Sequence, residues 1–168
     1  ATGNEAFAVL LGDDIIDAKV PAIGQLMRVH EQRGGCVVAL LDVPRDQTNR
    51  YGICDGEMVE DRLMHISAMV EKPDPAVAPS TYSIVGRYIL PPEIHGILQN
   101  TSRGAGGEIQ LTDALAVLAS QGKAWGTEFE GLRFDPGNVL GLFEATLHFI
   151  QQRPEFAAAA RSLIQRYQ

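Results

Sequence analysis

The stretch FAVLLGDD, residues 7–14, decides the fold class, because an uninterrupted apolar run ends there in a glycine and two aspartates. The apolar run predicts a strand that is buried on both faces, followed by a polar turn at its carboxyl end. A helix is predicted over 23–32 and ends at Gly34, and a second buried strand is predicted over 35–41. Strand, helix and strand in this order predict a parallel βαβ unit.

Downstream of this unit the pattern changes to short strands mixed with helices. Short strands near 51–53, 58–59 and 66–70 surround Asp55-Gly56, which is a hairpin turn signal. The remaining predicted elements are a strand over 82–90, helices over 92–100 and 108–121, an extended pair within 124–134, and helices over 141–152 and 154–167. No linker divides the chain, so we expect one α/β domain over 1–168, with C-terminal helices from about 141.

Composition and charge disfavour several classes of protein. The chain has 168 residues and a formal net charge of −7, which argues against a protein that coats nucleic acid. No run approaches the roughly 20 apolar residues of a membrane span, and no signal peptide is visible. Cys36 and Cys54 are far apart and form no CxxC motif, which favours buried free thiols over a disulfide or a zinc site. We therefore expect a cytoplasmic protein.

Two aspartates, Asp13 and Asp14, follow the first predicted strand. In open α/β sheets, ligands bind beyond the carboxyl ends of strands, and Mg²⁺ prefers hard oxygen ligands. A Mg²⁺ site is therefore one interpretation of this pair. A simple turn with a helix cap is the alternative, because aspartate is common in both.

The motif Glu71-Lys72-Pro73 follows another predicted strand. A carboxylate can accept hydrogen bonds from two neighbouring sugar hydroxyls, and an ammonium beside it can neutralise a phosphate. Proline fixes the exit of the chain from the strand. The alternative is an exposed ion pair at a strand end.

Two further segments contain candidate functional residues. Asp135 lies in the turn FDPGN between a possible strand and a helix, where it could share one metal ion with Asp13 or act only as a turn residue. The segment 103–113, RGAGGEIQLTD, places a glycine-rich loop before a helix, and phosphate binding is one interpretation of this arrangement. It lacks the motifs of a P-loop and of a dinucleotide-binding turn, so a purely structural loop is the alternative.

Five segments in order, FAVLLGDD, YGI, VEKPDPAVAPSTYSIVGRYIL, GAGGEIQLTDAL and FDPGNVLG, resemble the bacterial UTP–glucose-1-phosphate uridylyltransferases. That family belongs to the sugar-1-phosphate nucleotidyltransferases, and the resemblance extends from about Asn4 to the last helix. It implies a Rossmann-like α/β fold, in which a mixed sheet is flanked by helices. The family's glycine-rich nucleotide loop, similar to GxGTRxxPxTK, is not found in these residues. The resemblance therefore implies a nucleotidyltransferase domain missing its first strands and helices.

The resemblance also implies roles in catalysis. Asp13 and Asp135 match the two aspartates that the family associates with its catalytic Mg²⁺. Lys72 matches the lysine that contacts the sugar phosphate, and these three residues form the implied catalytic set. Pro136 departs from the family pattern, which usually has cysteine or threonine there, and this departure affects the expected metal geometry.

A second implied set binds the sugar. Glu71 matches the carboxylate that holds glucose hydroxyls, together with Lys72 at the phosphate. Gly52 matches a glycine whose backbone lies against the sugar. The strand around Ile84 and Gly86 lines the sugar pocket in related enzymes.

The implied reaction converts UTP and glucose 1-phosphate to UDP-glucose and pyrophosphate with Mg²⁺ as cofactor. Glucose 1-phosphate, UTP and UDP-glucose are the implied ligands, and a homo-oligomer is the expected assembly. Because the nucleotide loop is not found, we expect the isolated chain to be inactive and to self-associate. Two alternatives stay open: a sister enzyme that uses dTTP or another sugar, and a non-catalytic module that binds a sugar phosphate or forms oligomers.

Overall fold

A six-stranded mixed sheet organises the computed structural model, which describes residues 2–104 and 107–167. Its strands are β1 (Phe7–Leu10), β3 (Cys36–Asp42), β4 (Gly52–Glu60), β5 (Leu63–Glu71), β6 (Tyr82–Leu90) and β7 (Ala124–Glu128). They are ordered β1-β6-β3-β7-β5-β4 across the sheet. Two three-residue strands, β2 (Ile15–Asp17) and β8 (Leu132–Phe134), form a separate antiparallel pair.

Helices cover both faces of the sheet. They are α1 (Ala22–Arg33), α2 (Ile94–Asn100), α3 (Leu111–Ser120), α4 (Val139–Gln151) and α5 (Pro154–Arg166), with a 3₁₀ helix over Arg45–Arg50. Alternate residues of β3 serve the two faces, because Val37 packs with Leu26 of α1 whereas Val38 packs with Leu115 of α3. The predicted mixed sheet flanked by helices is confirmed.

The prediction that the first strand is buried on both faces is wrong, and the predicted parallel βαβ unit is confirmed in strand direction only. β1 lies at the edge of the sheet, and the side chain of Leu10 is 53% exposed, so the strand is not buried on both faces. β1 and β3 run in the same direction, but β6 lies between them and pairs antiparallel with both. The parallel pairing of β3 is with β7 instead. β6, which is longer than β1 and lies inside the sheet, is buried on both faces instead.

The predicted hairpin turn at Asp55-Gly56 is also wrong. Both residues lie inside β4, where the register with β5 shifts at a bulge. Gly56 allows a close approach there, because a Cβ at this position would lie 2.8 Å from the Cα of Ile66. The chain reverses at Asp61 and Arg62 instead, with Arg62 in the left-handed region at φ 61°.

Two other predictions need smaller adjustments. The helix predicted over 108–121 begins at Leu111, and part of the preceding glycine-rich loop, residues 105–106, lies outside the described residues. The extended pair predicted within 124–134 is two strands, but they do not pair with each other. β7 enters the central sheet, whereas β8 pairs with β2 after the intervening turn.

Both cysteines are buried free thiols, as predicted. Burial raises the pKa of Cys36 to about 12 and raises that of Cys54 further, so neither thiol ionises at neutral pH. None of the described helices is long and apolar enough to cross a membrane.

Candidate active site

A cavity of about 480 Å³ is built from segments that are far apart in the sequence. It lies where β1 and β5 end, where β4 and α3 begin, and beside β8. All seven site residues predicted from the sequence line it: Asp13, Gly52, Glu71, Lys72, Ile84, Gly86 and Asp135. Its volume is typical of a small-molecule site. The fold therefore brings the predicted residues together at one cavity. Their individual roles are a separate matter.

The carboxylates of Asp13 and Asp135 face this cavity from opposite ends of the sequence. Asp13 is exposed, whereas the side chain of Asp135 is 29% exposed and lies 3.4 Å from the guanidinium of Arg50. The backbone N–H of Gly137 donates to Asp135 Oδ1 over 3.1 Å, so a local turn orients this carboxylate. The predicted convergence of the two aspartates on one crevice agrees with this arrangement.

Two carboxylates can bind Mg²⁺ when other ligands complete its coordination. Among residues 2–104 and 107–167 there is no group of three or more His, Cys, Asp or Glu residues that could hold a metal ion alone. Mg²⁺ is commonly bound through one or two carboxylates together with substrate phosphates and water. The donor set therefore fits a Mg²⁺ ion that arrives with a phosphate ligand.

The neighbouring Asp14 has a different environment from Asp13. Its side chain is 8% exposed and pairs with Arg133, whose side chain is 12% exposed. Arg133 Nε lies 2.5 Å from Asp14 Oδ1 and Nη2 lies 3.3 Å from Oδ2, which is a two-point contact. Arg133 also donates to the hydroxyl of Tyr51 over 3.4 Å. The ion pair thus joins the segment that contains Asp13 to the segment that contains Asp135.

The charge state of Arg133 follows from this pairing. Burial acts to lower the pKa of its guanidinium, but hydrogen bonding and the charge of Asp14 outweigh that effect. The pKa of Arg133 is consequently raised above its ordinary value, so the residue is a permanent cation in the wall of the cavity.

Glu71 lies at the end of β5 with its side chain 14% exposed. Its Oε2 accepts a hydrogen bond of 2.5 Å from the hydroxyl of Thr112, in the first turn of α3. Gly52 is the register partner of Glu71 in β4. A Cβ on Gly52 would lie 2.8 Å from Thr112 Oγ1 and 3.2 Å from Glu71 Oε2, so only glycine leaves room for this contact.

Lys72 projects from the rim of the cavity, with its side chain 56% exposed. Its ammonium lies 3.8 Å from Glu71 Oε1, and its backbone N–H donates to the carbonyl of Tyr51 over 2.9 Å. Its φ of 46° is in the left-handed region, which is uncommon for any residue other than glycine. Backbone strain of this kind clusters at functional sites, where surrounding contacts hold it in place.

Ile84 and Gly86 form part of the cavity wall on β6. Gly86 lies directly against Asp14, because a Cβ at this position would be 2.7 Å from the Cβ of Asp14. A glycine at this point of the strand therefore permits the buried ion pair as well as the shape of the cavity.

Gly86→Ala is expected to lower the free energy of unfolding by about 1 kcal/mol or more, since the added methyl group must displace Asp14 or the strand. Gly12→Ala is the matched control, because a Cβ there meets no atom within 4 Å. Urea unfolding followed by circular dichroism measures both variants. Equal stability of the two variants would contradict this account of Gly86.

Sequence reasoning missed several cavity residues: Arg50, Tyr51, Thr112 and Arg133. Tyr51 and Thr112 lie inside the motifs YGI and GEIQLTDA, so their position in a distinctive segment was an available signal. Arg133 lies two residues before Asp135 in the sequence, but no local pattern marks it as the partner of Asp14.

The mixed sheet flanked by helices matches the fold of nucleotidyltransferases. The family model described as nucleotidyl transferase matches residues 1–152, so the chain belongs to the nucleotidyl transferase family. A UTP–glucose-1-phosphate uridylyltransferase of Staphylococcus epidermidis is 43% identical over 162 residues, which are 96% of this chain and 56% of that protein.

Solved structures agree with this assignment. A crystal structure of UDP-glucose pyrophosphorylase complexed with UDP-glucose superposes with a TM-score of 0.85 at 37% identity, covering 90% of this chain and 58% of that chain. The UTP-bound UGPase from Acinetobacter baumannii has a TM-score of 0.85 at 32% identity, covering 99% of this chain and 58% of that chain. The chain thus spans about half the length of the proteins it resembles.

Proposed function

We propose that this chain forms the sugar-phosphate and metal-binding part of a UTP–glucose-1-phosphate uridylyltransferase. The main support is the meeting of Asp13, Asp135, Glu71 and Lys72 around one cavity. These residues supply two carboxylates for a metal, one carboxylate for hydroxyls and one ammonium for a phosphate. The similarity to uridylyltransferases and UDP-glucose pyrophosphorylases favours uridylyl transfer over the sister reactions.

The proposed reaction is a single displacement at phosphorus. A phosphate oxygen of glucose 1-phosphate attacks the α-phosphorus of UTP in line, and the bond from that phosphorus to the pyrophosphate oxygen breaks. UDP-glucose and pyrophosphate are the products, and no covalent enzyme intermediate is required. The protein therefore contributes to catalysis by positioning the reactants and neutralising charge.

Glu71 and Lys72 divide the recognition of the sugar phosphate between them. In the proposal, the carboxylate of Glu71, which lines the cavity, accepts hydrogen bonds from glucose hydroxyls. Lys72 neutralises the phosphate and directs its nucleophilic oxygen, which its exposed position at the rim permits. Their adjacency in the chain sets the distance between the hydroxyl contact and the phosphate contact.

Mg²⁺ is part of the proposal, with Asp13 and Asp135 as the residues that would hold it. When bound, the ion would offset the negative charge that gathers on the phosphates. Arg50 pairs with Asp135 over 3.4 Å, and the two side chains are 53% and 29% exposed. Such a pair is weak enough for a divalent cation to replace it.

Two further features belong to the same proposal. A cytoplasmic location is supported by the two buried reduced thiols. A homo-oligomer is supported by apolar side chains that α4 exposes, among them Val139 at 84%, Leu140 at 79% and Phe143 at 61%.

The metal part of the proposal predicts that Mg²⁺ strengthens the binding of UDP-glucose to the chain. Asp13→Asn is expected to reduce this effect of Mg²⁺ on the order of tenfold, because an amide replaces an anionic oxygen ligand. Isothermal titration calorimetry with UDP-glucose, with Mg²⁺ and with a chelator, measures the effect.

Asp61→Asn is the control, since Asp61 lies in the turn between β4 and β5, away from the cavity. It removes one carboxylate and should leave the effect of Mg²⁺ unchanged. UDP-glucose binding that is equally tight with Mg²⁺ and with chelator would contradict the metal assignment. Such behaviour would favour a sugar-phosphate-binding module without catalysis.

A further inference from the structure

The motif GEIQLTDA is one of the most distinctive segments of the chain, and it contributes Thr112 to the wall of the cavity. In the structure its threonine, Thr112, lies in the first turn of α3 and is 8% exposed. The hydroxyl of Thr112 donates to Glu71 Oε2 over 2.5 Å, across 41 positions of sequence. This distance is at the short end for a hydroxyl that donates to a carboxylate.

The surroundings show that this contact is closely packed. Gly52, opposite Glu71 in the sheet, leaves space for the threonine, since a Cβ there would lie 2.8 Å from Thr112 Oγ1 and 3.2 Å from Thr112 Cγ2. The threonine therefore fills the gap between the start of β4 and the end of β5. Its hydroxyl and its methyl group are both held by neighbours.

The contact also divides the carboxylate of Glu71 into two differently placed oxygens. Thr112 holds Oε2, whereas Oε1 lies 3.8 Å from the ammonium of Lys72 at the rim of the cavity. A glutamate side chain has several rotamers, and fixing one of its oxygens restricts the direction of the other. A sugar that meets a preoriented carboxylate loses less affinity to the ordering of that side chain.

We propose that Thr112 is a positioning residue, which holds Glu71 in the orientation that receives sugar hydroxyls. The inference rests on the proposed function of Glu71 and adds a residue to it. It requires Thr112 to act on the sugar part of the ligand through Glu71 alone. The phosphate part, which Lys72 contacts, should not depend on Thr112.

The test compares Thr112→Val, which keeps the shape and removes the hydroxyl, with Thr112→Ser, which keeps the hydroxyl. Calorimetry measures the binding of glucose 1-phosphate and of inorganic phosphate to the chain. Thr112→Val is expected to weaken glucose 1-phosphate binding about five- to tenfold, in the range of one lost hydrogen bond, and to leave phosphate binding unchanged. Thr112→Ser is expected to stay within about twofold of the unaltered chain.

A double-mutant cycle separates positioning from a general structural role. In a Glu71→Ala background, Thr112→Val should cause no further loss of glucose 1-phosphate binding, because the residue through which it acts is gone. Thr127→Val is the matched control: Thr127 is also 8% exposed but lies on β7, outside the cavity. It should leave the binding of both ligands unchanged.

The outcomes distinguish the role of Thr112 from the proposed function of the whole site. A chain that binds glucose 1-phosphate equally well with and without the Thr112 hydroxyl overturns this inference and leaves the proposed function intact. Parallel loss of phosphate binding, or equal loss in the Glu71→Ala background, also overturns it. A chain that binds no glucose 1-phosphate at all overturns the proposed function, and this inference with it.

Discussion

Arg133→Met is expected to lower the free energy of unfolding by about 3–5 kcal/mol, the largest effect predicted for any single substitution in this chain. The variant retains much of the aliphatic volume of the arginine but leaves Asp14 without its partner. Asp14 is 8% exposed and lies against Gly86, so water has little access to its carboxylate. An uncompensated buried charge is far more costly than the loss of one hydrogen bond.

Two comparisons separate this explanation from a loss of packing. Arg62→Met removes an arginine whose partner, Glu130, is 2.7 Å away, but the two side chains are 46% and 75% exposed. It should change stability by no more than about 1 kcal/mol. The double variant Asp14→Asn/Arg133→Met removes the isolated charge, and it should recover about half of the loss or more.

Urea unfolding at neutral pH, followed by circular dichroism, provides the free energies for all four proteins. An Arg133→Met variant as stable as Arg62→Met would show that Asp14 is solvated after all. A double variant no more stable than Arg133→Met would attribute the loss to packing of the arginine side chain. Either result would remove the ion pair from the account of how the cavity is held together.

Local patterns in the sequence were sufficient to predict most elements but not their neighbours. The helix predicted over 23–32 lies at Ala22–Arg33, because apolar spacing over three turns is a local property. The place of β6 between β1 and β3 is set by pairing over 40 positions or more, which no local pattern records. The strands β2 and β8 have three residues each, too few for a periodic signal.

The candidate site shows the same division between local and distant information. Residues in short distinctive motifs, such as Glu71 and Asp135, were predicted and do line one cavity. Thr112, which donates to Glu71, and Arg133, which pairs with Asp14, were missed, because the fold brings these side chains together from distant positions. A sequence motif indicates which residues a site uses, whereas the contacts that orient them follow from the packing of α3 and β8.

Lys72→Ala is expected to weaken the binding of glucose 1-phosphate to the chain by about 10- to 150-fold, which corresponds to about 1.5–3 kcal/mol for a lost charge-assisted contact. Binding of glucose, which has no phosphate, should stay within about twofold of the unaltered chain. The side chain of Lys72 is 56% exposed and makes one ion pair, with Glu71 at 3.8 Å, so its removal should disturb the fold little. Calorimetry with both ligands measures the difference.

Lys123→Ala is the matched control for this lysine. Its side chain is 51% exposed and pairs with Glu93, away from the cavity, so it tests whether a change in net charge alone weakens phosphate binding. Lys72→Arg tests geometry, because it keeps the charge on a longer, planar group and should retain part of the affinity.

Equal weakening of glucose and glucose 1-phosphate by Lys72→Ala would argue against a phosphate contact, since loss of the ammonium should affect only the ligand that contains an anion. That result would place Lys72 with Glu71 as a sugar-binding residue and leave the phosphate to Arg50, the other exposed cation in the wall of the cavity among the described residues.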